Sequence, residues 1–140
     1  YAFTGDKRYL EVAQATADFF IERTGNRLIA PNDWEEPNPI LPVETSASAI
    51  TASGLLQLSQ LVDNEVDAQR YAKFAIDSIN ELCSDKYVSL NDPNWEGVLK
   101  HGSYHEQKRL GVDESVMWGE YFFAECLDKV LGGEMLYTNR

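Results

Sequence analysis

The stretch Glu44–Leu61, ETSASAITASGLLQLSQL, decides the architecture. Its first half holds Ser46, Ala47, Ser48, Ala49, Ala52, Ser53 and Gly54, almost all of them small. Small side chains let helix backbones approach closely, so the segment reads as an inner helix crowded by neighbours. Its flanks are of another kind. Upstream, Tyr9, Val12, Ala13, Thr16, Ala17 and Phe20 recur at i, i+3, i+4, i+7, i+8 and i+11, which predicts an amphipathic helix with one apolar stripe. Thr4, Gly5 and Asp6 precede it with capping oxygens, and Gly25 stands where it should stop.

Downstream, Tyr71, Phe74, Ala75, Ser78, Ile79 and Leu82 repeat the stripe. The pair Arg8-Tyr9 recurs as Arg70-Tyr71, an echo that suits repeated helical hairpins. From Asp113 to about Leu131 the apolar residues Val116, Met117, Trp118, Tyr121, Phe122, Phe123, Ala124, Leu127, Val130 and Leu131 cover nearly the whole circumference. That pattern predicts a helix buried on most sides and closed by Gly132-Gly133. Inner-type and outer-type helices therefore alternate, giving an all-α array of hairpins.

Composition sets the outer bounds. The chain has 140 residues, of which 44% are hydrophobic, enough for one domain with a real core. It carries 23 acidic and 12 basic side chains, a formal net charge of -11, which argues against nonspecific nucleic-acid binding through phosphates. No apolar run approaches the roughly 18 residues a membrane span needs. The opening YAFTGDKRYL has neither a basic start nor an apolar stretch, lacks an initiator Met, and reads like the middle of a longer polypeptide. Cys83 and Cys126, with no CxxC pairing, read as two buried thiols. They lean toward a reducing compartment, so a cytoplasmic location is favoured over a periplasmic one.

Two long loops interrupt the helices, and stiff aromatic loops of such length are usually functional. The first, NRLIAPNDWEEPNPILPVE (26–44), holds four prolines and Trp34. A tryptophan there either stacks on a sugar ring or lids the core. The second loop runs from Lys86 through Val112. Within it KHGSYHEQKR (100–109) gathers Lys100, Lys108, Arg109, both histidines of the chain, Tyr104 and a single acid, Glu106.

Such an island has two readings. Tyr104 would offer a hydroxyl and a ring face to a sugar, while His101, His105 and the flanking cations would attract a carboxylate or sulfate. Alternatively, the histidines tie down a long loop through backbone hydrogen bonds. A metal reading of His101 and His105 lacks a third ligand and any HExxH or CxxC support, so no metal is assigned. Ser115 lacks a GxSxG context and suits the first turn of the last helix. Asp113 and Glu114 form an acid pair of the kind general acid–base work uses, but their place at a helix start favours Asp113 as an N-cap and both as dipole partners.

The stretch EGVLKHGSYHEQKRLGVDESVMWGEYFFAECL (96–127) resembles the C-terminal end of the unsaturated glucuronyl hydrolases, glycoside hydrolase family 88. Members finish with an HGxYH loop, then GVDES, an apolar pair and a WG-acid-Y-aromatic helix. TGDKRYLEVAQATADFFIERT resembles their preceding outer helix, and PVETSASAITASGLLQLSQL resembles their small-residue inner helix. Glu44 stands where the family commonly has Asp, and NDWEEP replaces a Trp-Asp-Phe pattern.

The resemblance implies that residues 1–140 form the C-terminal part of a single (α/α)6-barrel catalytic domain, an incomplete toroid of helical hairpins. It implies removal of a non-reducing-end 4,5-unsaturated uronate from lyase-generated oligosaccharides, glycosaminoglycan-derived disaccharides among them, without metal or organic cofactor. Tyr104 should then reach the active-site mouth, with His101, His105, Lys100 and Trp34 as further substrate-binding residues. The family's catalytic aspartates and Arg-Gly-Gln-Ala-Trp motif have no counterpart in this sequence. The isolated chain is therefore expected to be inactive and to expose apolar helix faces. The related unsaturated rhamnogalacturonyl hydrolases, and a non-catalytic helical-hairpin interaction module, are the alternatives.

Overall fold

The computed structural model describes residues 1–35 and 42–132. The readings of Pro37, Pro39 and Gly133 lie outside them. Four helices form as the periodicity predicts: α1 (Lys7–Thr24), α2 (Thr45–Leu58), α3 (Glu65–Leu82) and α4 (Met117–Val130). Between α3 and α4 a hairpin of β1 (Gly102–His105) and β2 (Leu110–Glu114) adds the two strands of the described residues. The all-α expectation holds for the frame, and the hairpin is an addition to it.

Local chemistry fixes the helix ends. Asp6 caps α1 by accepting the Arg8 N–H at 3.0 Å, and Gly25, at φ 56, donates its own N–H to the Ile21 carbonyl. Asn64 caps α3, accepting from the N–H groups of Val66 and Asp67. The α4 start differs from expectation. Residues 110–114 pair with β1, so Asp113 is no N-cap; the helix opens on Val116, which offers no side-chain cap.

Helix α2 is the centre of the packing, with α3 on one side and α4 on the other. Ala49, Ala52, Leu55 and Leu58 of α2 are buried against Tyr71, Ala75, Ile79 and Leu82 of α3 and Phe123 and Cys126 of α4. The small residues permit this close approach. A Cβ on Gly119 would lie 2.9 Å from the Ser46 Cβ, so the α2–α4 crossing requires glycine there. The Cys126 thiol donates to the Ala49 carbonyl at 3.3 Å, and burial pushes it up to about 12. Cys83, read as buried, is exposed at the end of α3.

The two Arg-Tyr pairs do different work. Tyr71 is fully buried and donates its hydroxyl to Asp18 of α1 at 2.8 Å, while Arg70 reaches the same carboxylate at 2.6 Å. Burial alone would raise the Asp18 pKa, but the hydrogen bonds from Arg70 and Tyr71 outweigh it and hold the group below its usual range. This α1–α3 tie is thus present above about pH 4 and is lost as pH falls through the depressed folded-state value. Arg8 instead pairs with its own cap, and Tyr9 stands 60% exposed.

Apolar faces remain open. Tyr9 and Val12 of α1, and Met117, Tyr121, Val130 and Leu131 on α4, are exposed. Helix α4 was expected to be buried on most sides. Only the face carrying Gly119, Phe123 and Cys126 is covered, because α2 is its one extensive partner among the described residues. Between α1 and α2 an open apolar cavity of about 320 Å³ is lined by Ala13, Ala17, Phe20, Gly54, Leu55 and Leu58 among others.

Candidate functional site

The island at 100–109 folds as the front edge of the β-hairpin, held over the N-terminal ends of α2 and α4. Two successive residues at the start of α2 grip it through three hydrogen bonds. Glu44 accepts the Ser103 N–H at 2.8 Å, Thr45 Oγ1 donates to the Lys100 carbonyl at 2.7 Å, and the Thr45 N–H reaches the His101 carbonyl at 3.3 Å. Ser103 turns inward and is buried, so its neighbour Tyr104 turns outward and is 63% exposed.

The Tyr104 ring meets Trp118 edge-on, with centroids 5.6 Å apart, and His105 at 6.4 Å. Trp118 sits in the first turn of α4 and is itself exposed, with its Nε1–H donated to Ser46 Oγ at 2.9 Å. Together the two rings form an aromatic wall in solvent, polar at the Tyr104 hydroxyl. Such a wall suits a sugar ring, which offers C–H faces to aromatic rings and hydroxyls to polar tips.

His101 lies behind the wall. Its backbone has φ 65, and its Nδ1 hydrogen-bonds the Asp113 carboxylate. Asp113 in turn has φ 61 and is the extra residue where the hairpin register shifts, since Gly102 pairs with Glu114 but Ser103 with Val112. Two non-glycine residues in the left-handed region, joined through their side chains, form a fixed corner. The His101 ring also contacts Trp95 at 5.2 Å and Tyr87 at 6.1 Å, both edge-on. Beside it, Asn94, Trp95, Glu96, Asp113, Glu114 and Ser115 line a cavity of about 260 Å³.

The other sequence-predicted residues fall as follows. His105 ends β1 beside Tyr104. Lys100 does not face a ligand freely, because its ammonium donates to the Asp85 carbonyl at 3.0 Å and so closes the second loop on itself. Lys108 and Arg109 lie exposed at the hairpin turn. Trp34 is not brought to the wall. Its ring packs edge-on against Phe19 at 5.7 Å and Phe20 at 5.5 Å, both of α1, in the manner of a lid on the helix. The two long loops do touch elsewhere, through the Asn32 amide donating to Glu106 at 2.9 Å. Among the described residues no group of three or more His, Cys, Asp or Glu is arranged to hold a metal ion.

Sequence reading missed Trp118, taken as core, and Asp113, taken as a cap. A signal existed in the alternation Leu110, Val112, Glu114, which is strand-like, but the apolar run from Val116 drew the helix boundary too far forward. Ser115, placed in a helical turn, instead bridges Trp95 and the Leu99 carbonyl, at 2.8 and 2.7 Å.

No protein-family model matches the chain. Individual proteins do. The chain is 34% identical over 135 residues to the unsaturated glucuronyl hydrolase of Bacillus sp. (strain GL1), a match covering 91% of this chain and 36% of that protein. With the unsaturated glucuronyl hydrolase of Formosa agariphila it shares 29% identity over 132 residues, 92% of this chain and 32% of the relative. A solved structure of an unsaturated glucuronyl hydrolase variant with dGlcA-Glc-Rha-Glc superposes with a TM-score of 0.86 at 30% identity, over 97% of this chain and 37% of that one. The chain is similar to the C-terminal portion of the unsaturated glucuronyl hydrolases. It spans about a third of the length of the curated relatives it matches. Its hairpins are accordingly part of the (α/α)6 barrel of the unsaturated glucuronyl hydrolases, with α2 and α4 adjacent in the packing.

Proposed function

We propose that this chain supplies the substrate-facing hairpin of an unsaturated uronyl hydrolase, with the Tyr104–Trp118 wall receiving the non-reducing-end 4,5-unsaturated uronate. The observation that carries this reading is the exposed, edge-on pair of Tyr104 and Trp118 at the N-terminal ends of two helices. The α4 terminus has no side-chain cap, and Lys108 and Arg109 stand exposed on the same hairpin. Both features favour an anionic sugar despite the acidity of the whole.

The reaction in this reading is hydration of an enol ether. A carboxylic acid gives a proton to C4, and water, relieved of a proton, adds its oxygen to C5. The resulting hemiketal opens, releasing the neighbouring sugar and an open-ring keto-uronate. Retaining and inverting carboxylate spacings do not apply, because the attacked carbon is not anomeric. This chain binds and orients; the aspartates that move the protons belong to polypeptide outside residues 1–140. The open apolar faces of α1 and α4 would pack against that remainder. By this reading residues 1–140 alone are inactive. The preferred substrates are unsaturated disaccharides from glycosaminoglycans, as one class of lyase product.

Replacing Tyr104 with Ala in the polypeptide that carries this chain should raise KM for an unsaturated disaccharide by roughly 10- to 100-fold, the loss expected for a ring stacked on a sugar plus one hydrogen bond. Tyr104→Phe should lie between the two. Steady-state kinetics followed by double-bond absorbance reads both, and an unchanged KM for Tyr104→Ala would remove the wall from the site.

A further inference from the structure

Glu44 is a buried carboxylate, 8% exposed, in a place where no cation answers it among the described residues. Its charge is met by hydrogen bonds alone. Oε1 accepts the Ser46 N–H at 2.9 Å and the Ser46 hydroxyl at 2.5 Å, while Oε2 accepts the Ser103 N–H at 2.8 Å. An N-cap needs only the first of these. The remaining two connect different parts of the molecule. Ser103 precedes Tyr104 in β1, and the Ser46 hydroxyl, having given its proton to Glu44, accepts the Trp118 Nε1–H at 2.9 Å.

One carboxylate therefore controls both rings of the wall. Through Oε2 it fixes the strand that carries Tyr104, and through Oε1 and Ser46 it orients the indole of Trp118. The direction of each hydrogen bond is set: a carboxylate can only accept, so the Ser46 proton points to Glu44 and its lone pairs are left for Trp118. Resting on the uronate reading above, we propose that Glu44 is a positioning residue that holds Tyr104 and Trp118 in one orientation for the unsaturated sugar. The device is costly in stability, since an unpaired buried charge must be solvated entirely by the protein, and such a cost is often carried at functional sites.

The test uses Glu44→Gln, Glu44→Asp, Ser46→Ala, Tyr104→Ala and the Glu44→Gln/Tyr104→Ala pair in the full polypeptide. Gln cannot accept on both arms without turning an NH2 toward a donor, so Glu44→Gln should raise KM by roughly 10-fold with kcat changed far less, a size in keeping with a lost charge-assisted hydrogen bond. Glu44→Asp, with both acceptor oxygens on a shorter stem, should recover part of that loss. Ser46→Ala, which keeps the charge and cuts only the bridge to Trp118, should give a smaller KM increase. The double variant should be worse than Tyr104→Ala alone by no more than the Ser46→Ala effect, because the share of Glu44 that acts through Tyr104 is already gone and only its arm to Trp118 is left.

KM effects that multiply independently, or a lowered melting temperature with KM unchanged, would overturn the proposal and leave Glu44 a structural cap. A wild-type protein that leaves the double bond intact would instead overturn the uronate reading. The positioning claim is then read from the near-ultraviolet circular dichroism of the Tyr104–Trp118 pair. Glu44→Gln and Ser46→Ala should each weaken that signal at constant far-ultraviolet signal, and unchanged spectra would overturn it.

Discussion

Replacing Lys129 with Met should destabilise the fold by about 3–5 kcal/mol, the usual cost of leaving a buried charge without its partner. Lys129 crosses from α4 to α2, giving hydrogen bonds to Ser53 Oγ at 2.7 Å, the Ser53 carbonyl at 3.3 Å and Glu125 at 3.1 Å. The Ser53 hydroxyl also donates to Glu125, so the triad closes on itself. The side chains of Lys129 and Glu125 are only 9% and 13% exposed. With Met in place, the Glu125 carboxylate keeps only the Ser53 hydroxyl.

The companion variant makes the argument discriminating. Glu125→Leu combined with Lys129→Met removes both charges and should be near neutral, or stabilising by about 1–4 kcal/mol. Urea unfolding of the three proteins checks this. Equal losses in the single and double variants would mean that packing, and not charge, is what the triad supplies.

Gly97→Ala should cost roughly 2–4 kcal/mol, from overpacking and from a left-handed backbone together. Gly97 has φ 93, and a Cβ there would lie 2.5 Å from both Cβ and Oγ of Ser115 and 2.7 Å from Glu120 Oε1. Those are not idle neighbours. Ser115 holds Trp95 and the Leu99 carbonyl, and Glu120 accepts the N–H groups of Val98 and Leu99 at 2.7 and 3.0 Å. The intruding methyl would push the segment leading to Lys100 off both supports. Gly5→Ala is the control. At φ 69 with nothing within 4 Å, it should lose only the backbone preference, about 1 kcal/mol. Thermal unfolding compares them, and equal shifts would show that the Ser115–Glu120 contact is slack.

Which parts of this molecule could be read beforehand follows from the range of the interactions. The helices were legible because caps and apolar periods are local: Asp6 and Gly25 act within a few residues. The small-residue face of α2 was legible as an inner helix because only close packing calls for such a run. The hairpin was not, since His101 and Asp113 adopt positive φ only through each other, a pairing with no trace in either residue's neighbourhood. Trp118 looked like core because an apolar residue on an apolar helix gives no sign of which face lacks a neighbour. Trp34 was open to two readings, a sugar platform or a lid on the core, and its edge-on contacts with Phe19 and Phe20 come from residues distant in sequence. Tyr104 was singled out by its motif, and the hairpin leaves its ring exposed.

The most direct measurement is the fate of the double bond. The polypeptide that carries this chain, given an unsaturated glycosaminoglycan disaccharide, should show a steady loss of double-bond absorbance with release of the neighbouring sugar. The saturated disaccharide should be left intact, because it has no enol ether to protonate. Unchanged absorbance, with an active unsaturated glucuronyl hydrolase run in parallel, would contradict the account and leave the Tyr104–Trp118 wall to bind something other than an unsaturated uronate.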